Sequence, residues 1–315
     1  MTEHVQWRNK KVIVTGGAGF IGSHLCERLI EYGAHVTVID HLLHGPPGNL
    51  AAVVNDVEIV NHKLGGEVEL PQSHATGDVL FHLAGLADPR ACNENPENAH
   101  LLNVTATEDI LKKWRGGPVI FLSSAQVYGD PKYLPIDENH PLGPKDPYAE
   151  SKLAAERVCD RYRAEKQLQC TVIRNFNTYG PRQSRSYFIP MLIAQALQDK
   201  KISIWNGKPV RDLMYISDGI DALLSIALTR GAIGQTINLG SGDGTKMGDL
   251  GRKVAALFDV PFFDQQKEVI GSKEMVCDNS RLRQLTGWAP STSVPEGIDK
   301  TVTYFRQVLG NGSHS

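Results

Sequence analysis

Tyr148 and Lys152 stand four residues apart in PYAESK, behind Pro147, a residue suited to the first turn of a helix. On a helix this spacing puts a phenol and an ammonium on one face, one turn apart. A phenol titrates near pH ~10, so acting as a base near neutrality needs a shift of roughly 3 units, or about 4 kcal/mol. One cation about 4–5 Å away supplies roughly 3–4 kcal/mol at an effective dielectric of about 20. A second positive charge, such as an oxidised nicotinamide ring, would provide the margin. Ser123 or Ser124, in the SSAQVYGD segment upstream, can hydrogen-bond the substrate oxygen that gains or loses the proton. The same Tyr-Lys spacing arises by chance on many exposed helices, so the pair gains meaning from the elements around it.

Those elements alternate. Residues 11 to 15, KVIVT, read as a buried parallel strand that runs straight into GGAGFIGSHLCERLIEYG. There Phe20, Ile21, Leu25, Leu29 and Ile30 recur at helical spacing, and Gly16, Gly17, Gly19 and Gly22 fit GxxGxxG and GxGxxG. Between strand and helix, such glycines allow a tight turn and let backbone N–H groups approach a pyrophosphate. A second strand, HVTVI at 35 to 39, ends at Asp40, whose carboxylate suits both ribose hydroxyls of NAD and would repel the 2′-phosphate of NADP. NAD is therefore the expected cofactor.

Further strands are expected at 57–60, 79–83, 119–122 and 171–173, and helices at 96–114 and 148–166. Small residues Ala84 and Gly85 after the fourth strand leave room for a cofactor. His82 is expected to be a packed, backbone-bonded histidine rather than a ligand, while Asn103 faces either the site or solvent. This alternation argues for a doubly wound parallel sheet of Rossmann type, with ligands beyond the carboxyl ends of its strands. The glycine loop, Asp40, Gly85, Ser124 and Asn177 all fall at such ends.

Beyond residue 180 the pattern loosens into a helix at 188–197, a strand at 202–204, another at 213–216, and a helix reaching Thr229 with Ser217 as its expected cap. A strand at 236–239 and helices near 247–258 and 295–308 follow. The expected organisation is a cofactor domain over 1–175, completed by about 213–239. A smaller interleaved α/β substrate lobe takes 176–212 and 240–310, and 311–315 is a frayed tail.

Composition excludes several classes. The 315 residues are 41% hydrophobic and 22% charged with net charge -2, which offers no electrostatic footprint for nucleic acid or an anionic membrane. No apolar run is long enough for a membrane span, and the polar start MTEHVQWRNK does not read as a signal peptide. Five scattered cysteines without a CxxC read as reduced thiols of a cytoplasmic protein. His41 and His44 lack clustered acid or thiol partners, so no metal is expected.

The chain resembles the extended short-chain dehydrogenase/reductase family, specifically its nucleotide-sugar epimerases and dehydratases of the UDP-glucose 4-epimerase type. The resemblance rests on TGGAGFIG, HLAG, SSAQVYGD, PYAESK, NFNTYGPR, RDLMYISD, INLGSG and TGWAP, which occur in family order over roughly 11 to 305. It implies that Gly16, Gly19, Phe20, Ile21, Gly22, Asp40, Leu83, Ala84, Gly85 and Ser123 hold NAD together with Tyr148 and Lys152. It also implies that Tyr148 is the base, that Lys152 lowers its pKa and binds the nicotinamide ribose, and that Ser124 aligns the sugar hydroxyl. Ser124, Ala125, Gln126, Tyr148, Asn177 and Arg211 would line the substrate, a nucleotide-diphosphate sugar with UDP-hexose or UDP-hexuronate as the family prior. A homodimer through the helices at 97–114 and 148–166 is a further implication.

In that family the sugar is oxidised at C4, and the fate of the 4-keto sugar divides the members. Dehydratases carry an Asp-Glu pair just after the position of Ser124, and decarboxylases carry a Glu. Here Ala125 and Gln126 occupy those places, and neither can titrate in the useful range. The expectation is a 4-epimerase, with a dehydratase, a decarboxylase or a 4-keto-sugar reductase as alternatives and a non-catalytic NAD-binding regulator behind them. The chain also departs from the family. Gln126 stands where a small hydroxyl residue is usual, and Trp205 replaces a glycine, either to stack on the nucleobase or to fill core. The diphosphate-clamping arginine before CDNS is not evident, leaving Lys267, Lys273 or Arg281 as substitutes. Asn61 and His62 occupy the place of an acid that meets adenine.

Overall fold

The β-branched runs assemble into one seven-stranded sheet in the order β10-β6-β5-β4-β1-β2-β3. Its strands are β1 Lys11–Thr15, β2 His35–Asp40, β3 Val57–Asn61, β4 Val79–His82, β5 Val119–Ser124, β6 Cys170–Asn175 and β10 Thr236–Leu239. Every pairing is parallel. The order reverses between β1 and β4, the crevice where doubly wound sheets bind ligands. The computed structural model describes residues 3–42, 48–268 and 271–310. His44 and the tail at 311–315 lie outside the described residues.

Period-two alternation sends side chains into two cores. Val12, Val14, Val36, Val38 and Ile120 pack with Leu25 and Leu29 of α2 (Phe20–Glu31) and with α8 (Ile216–Leu228). Ile13, Leu80, Val119, Phe121 and Val172 pack on the opposite face, against Ile110, Leu111, Ala155 and Cys159. Each fully buried aliphatic side chain is worth about 1.5–3 kcal/mol, so two covered faces fix the strand register firmly.

The helix expected at 96–114 is continuous but irregular. It begins as α4 (Pro96–His100), widens through a π-helical turn at Leu101–Thr105, and resumes as α5 (Ala106–Lys113). Asn95 caps its start by accepting from the Asn98 N–H at 2.9 Å. The helix carrying Tyr148 and Lys152 is α6 (Pro147–Lys166), capped by Asp146 accepting from the Ala149 N–H at 2.8 Å, with Gln167 left-handed at its end.

Apart from α8 and β10, residues 177 to 310 build smaller pieces. β9 (Val210–Tyr215) pairs antiparallel with β11 (Gly244–Lys246), and parallel with β7 (Asn177–Tyr179) and β13 (Glu274–Met275). β8 (Ile202–Ile204) pairs with β12 (Phe262–Asp264). Two carboxylates hold the loops between them. Asp212 of β9 accepts from the Ser241 N–H and hydroxyl at 2.7 Å each, the Gly242 N–H at 2.8 Å and the Cys277 N–H at 3.2 Å. Asp218 accepts from the Ser291 hydroxyl at 2.8 Å, the Thr292 N–H at 3.0 Å and the Thr292 hydroxyl at 3.2 Å.

Two expectations need correction here. Ser217 does not cap α8: the helix starts at Ile216, with the Tyr215 backbone at the cap position and no side-chain cap. The strand expected at 213–216 runs over 210–215 and belongs to the smaller sheet, while β10 joins the large one.

Candidate active site

Tyr148 sits in the first turn of α6, buried against Cys92, Ala99 and Leu86. Its phenol meets the Ser124 hydroxyl, which also accepts from the Gln126 N–H at 3.2 Å and so starts the turn at Ala125–Tyr128. One helical turn on, the Lys152 ammonium donates to the Leu122 carbonyl at 3.0 Å and lies 5.4 Å from the Phe121 ring centroid. The structure thus brings Ser124, Tyr148 and Lys152 together at the carboxyl end of β5.

The protein's own groups do not by themselves make a phenolate. Burial pushes the Tyr148 phenol well above its ordinary value, and the Ser124 hydrogen bond opposes this only in part. Burial also drags Lys152 down to about 8, against the pull of Cys92 and Glu156. Both groups are held in their neutral-leaning forms, as expected where water is excluded.

The glycine loop fits a dinucleotide. A Cβ on Gly22 would lie 2.2 Å from the Gly16 carbonyl oxygen, and one on Gly16, at φ +71°, would lie 2.7 Å from the Ala84 nitrogen. The loop therefore packs directly on the exit of β4, and the Asn49 amide donates to its Ala18 carbonyl at 3.0 Å. Unlike α4 and α6, α2 begins without a side-chain cap and without an acid in its first turn. Its leading N–H groups stay available to an anion. Phe20 and Ile21 supply two of them and pack partly against the core, as does Leu83. At the end of β2, the Asp40 carboxylate accepts from the Leu42 N–H at 2.9 Å and, across the loop, the Ala18 N–H at 3.1 Å. These residues fit the pyrophosphate and ribose of NAD.

Asn103 proves to be neither solvent-facing nor a direct lining residue. It is 2% exposed in the π-helical turn. Its amide accepts from the Leu86 N–H at 2.8 Å and donates to the Leu86 carbonyl at 3.1 Å and the Ser151 hydroxyl at 2.8 Å. Gly85 is what lets it reach, because a Cβ there would lie 2.5 Å from its oxygen. His82 is packed, but its partners are side chains: Thr15 at 2.7 Å and Thr107 at 3.0 Å. Burial pulls it down to about 3, so it is neutral.

Ser123 is turned away from the cleft. Its hydroxyl donates to Glu156 at 2.5 Å, within a buried ion pair with Arg174. Sequence reasoning missed both members, although Glu156 lies four residues past Lys152 on the same helix. Asn177 donates to the Asp212 carbonyl at 3.1 Å, and Arg211 donates to the carbonyls of Val210 at 2.9 Å and Ser272 at 2.8 Å. Burial lowers the Arg211 guanidinium, and among the described residues no carboxylate forms an ion pair with it. Of the clamp substitutes, Arg281 is bound to Glu138 at 3.3 Å, and Lys267 sits 4.2 Å over the Trp205 ring. Trp205 is 52% exposed, so it does not fill core.

Among the described residues no group of three or more His, Cys, Asp or Glu is gathered for a metal, and no helix is long and apolar enough to cross a membrane.

The family model for the NAD dependent epimerase/dehydratase family matches residues 12–240. A putative UDP-glucose 4-epimerase of Methanocaldococcus jannaschii is 31% identical over 314 residues, covering 94% of this chain and 98% of that protein. The UDP-glucuronic acid decarboxylase 1 of Xenopus tropicalis is 29% identical over 316 residues, covering 95% and 73%. The solved UDP-glucuronic acid 4-epimerase of Bacillus cereus, in complex with UDP-glucuronic acid and NAD, is 28% identical with a TM-score of 0.85, covering 95% and 99%.

Proposed function

The chain belongs to the NAD-dependent epimerase/dehydratase family, and from that premise we propose that it inverts C4 of a UDP-linked hexose or hexuronate through a transient 4-keto sugar. NAD, which the glycine loop and Asp40 would hold, would supply the acceptor and donor of the C4 hydride and a second positive charge beside the site. The protein's own groups handle the proton. Tyr148 takes it from the 4-hydroxyl and gives it back, Ser124 holds the sugar oxygen, and Lys152 supplies charge that favours the phenolate. The buried pocket around Tyr148 keeps water from competing for either partner.

The observation that carries epimerisation over its sister reactions is the turn after Ser124. Ala125 is buried and Gln126 carries an amide, so no acid stands there to drive elimination or assist decarboxylation. Relatives at nearly equal identity include both epimerases and decarboxylases, so this turn does the discriminating.

Arg211 supports the diphosphate assignment. A half-buried guanidinium bonded only to carbonyls retains its full charge for an anion, and Asn177 stands on the adjoining strand. We place NAD on 1–175 with the later strand β10, and the nucleotide sugar on 176–212 and 240–310. The reading includes a cytoplasmic homodimer through the helix at 97–114 and α6. Ala106, Ile110, Ala155 and Val158 are consumed by the core, so Thr105, Ala154 and Arg157 would form that contact. Light scattering that finds only monomer at micromolar concentration removes the dimer.

The test of the activity is mass and proton NMR on products from UDP-glucose, UDP-N-acetylglucosamine, UDP-glucuronate and GDP-mannose, without added cofactor. Unchanged mass with inverted C4 is the expected result. Loss of water or carbon dioxide would overturn it in favour of a sister reaction.

A further inference from the structure

Beneath the site lies a buried polar cluster that the proton chemistry above does not use. The Arg174 guanidinium meets Glu156 through Nε at 3.1 and 3.2 Å and through Nη2 at 2.8 Å, and the two side chains are only 8% and 5% exposed. Its third arm donates to the Tyr128 hydroxyl at 3.1 Å, which donates in turn to the Asn238 side chain at 2.7 Å. The Tyr128 ring also lies 4.9 Å from the guanidinium carbon. Ser123 completes the Glu156 shell at 2.5 Å.

The cluster ties four elements at one level of the sheet: β5 through Ser123, β6 through Arg174, α6 through Glu156 and β10 through Asn238. Ser123 and Arg174 stand opposite each other in the β5–β6 register. A well-packed apolar set of equal volume commonly holds such a junction at least as well as a buried ion pair. What the ion pair adds is a single geometry and a fixed charge. Both act next door, since Ser123 is followed by Ser124 and Glu156 follows Lys152 by one turn.

We propose that Glu156 and Arg174 are a positioning pair, fixing the β5 end against α6 so that Ser124 meets Tyr148, and setting a negative charge on the Lys152 side of the helix. The role in turnover rests on the epimerase reading; the charge does not. The groups that act on Lys152 are Glu156 and Cys159 from its own helix, Cys92 from α3 (Pro89–Glu94) and the neutral His82 from β4, with Tyr148 one turn earlier on the helix. Of these, the Glu156 carboxylate is the one locked in an ion pair, and it favours the ammonium.

The test titrates Lys152 by NMR of lysine-labelled whole protein, its signal identified by loss in Lys152→Ala. Glu156→Gln is expected to lower the Lys152 midpoint by roughly one pH unit. Ser123→Ala and Tyr128→Phe, which leave both charges in place, are expected to cut kcat about tenfold with KM within about twofold. Arg174→Lys keeps the charge but not the fork, and its kcat is expected to fall with them. An unchanged Lys152 midpoint in Glu156→Gln, or wild-type kcat in Ser123→Ala with only thermal stability reduced, would make the pair a structural brace and overturn the proposal. If Glu156→Gln does not fold, Ser123→Ala decides. If the wild type turns over no nucleotide sugar, the epimerase reading falls while the Lys152 titration still decides the charge role.

Discussion

The large sheet and the smaller lobe solve the same problem by different means. In the sheet, apolar side chains alternate along each strand and bury into two cores, so register follows from burial. In the later part of the chain, strands are two to six residues long, and although Leu192, Ile204 and Val254 share the first of those cores, Asp212 of β9 and Asp218 of α8 add a second constraint by collecting donors from distant loops. Burial tolerates exchange of one aliphatic residue for another. A carboxylate hub does not, because losing it leaves several buried donors unpaired at once.

Tyr148→Phe should give the largest effect and no structural one. Turnover is expected to fall about 10²–10⁴-fold while the thermal midpoint stays put, as NMR assays and melting curves would show. A melting point that drops as well would mean the site and the sheet core are not separable in the way described.

Asp212→Ala should do the reverse. With four donors stranded, roughly 3 kcal/mol of stability is expected to go, read by urea unfolding. The lobe should open before the sheet, so bound NAD survives at urea concentrations that abolish substrate binding. A single cooperative transition with less than about 1 kcal/mol lost would show that Asp212 is not the lobe's anchor.

A pH experiment sharpens the comparison on the sheet side. Lys152 is lowered to about 8 in the fold, so between about pH 8 and the ordinary lysine range the unfolded chain binds a proton that the folded chain has released. Stability attributable to this group therefore rises with pH across that window, and below it the full burial penalty applies. Lys152→Met is expected to flatten the slope by roughly 1–3 kcal/mol in all, measured below pH ~10 where tyrosines begin to ionise. An unchanged slope would mean that Lys152 is hydrated.

The smallest effect belongs to Trp205→Ala in the lobe. The indole is half exposed, with its N–H on the Glu268 carbonyl at 2.8 Å and Lys267 over one face. Stability should move by no more than about 0.5 kcal/mol, while KM for the nucleotide sugar rises several-fold if the open face stacks on the base. Equal KM would remove Trp205 from the substrate site.

What was legible in the sequence divides along the same line. Strands β1 to β6 and the helix of Tyr148 could be read because their apolar periodicity is local, and the glycine loop because its spacing is. The π-helical turn around Asn103 was not, since a widened turn leaves the apolar pattern of a helix in place. Ser123 looked like a cleft residue by its position at a strand end, but alternation turns it to the side opposite Ser124, toward Glu156. The cap at Ser217 and the limits of β9 were misjudged where the hubs, not periodicity, decide the chain path. Glu156 and Arg174 lie 18 residues apart and become partners only through the β5–β6 register.

The cysteines noted at the outset acquire a use from where they fall. Cys26, Cys92, Cys159, Cys170 and Cys277 are all buried, and burial raises the thiol pKa of Cys26, Cys92, Cys159 and Cys277. A folded molecule should therefore be slow to react with a thiol reagent, and each modification should report an opening event at one place. Four of these clocks are set in the first 170 residues, and Cys277 hangs on the Asp212 hub. Their labelling rates, resolved by mass spectrometry on the unmodified protein, would time how often each half of the enzyme comes apart.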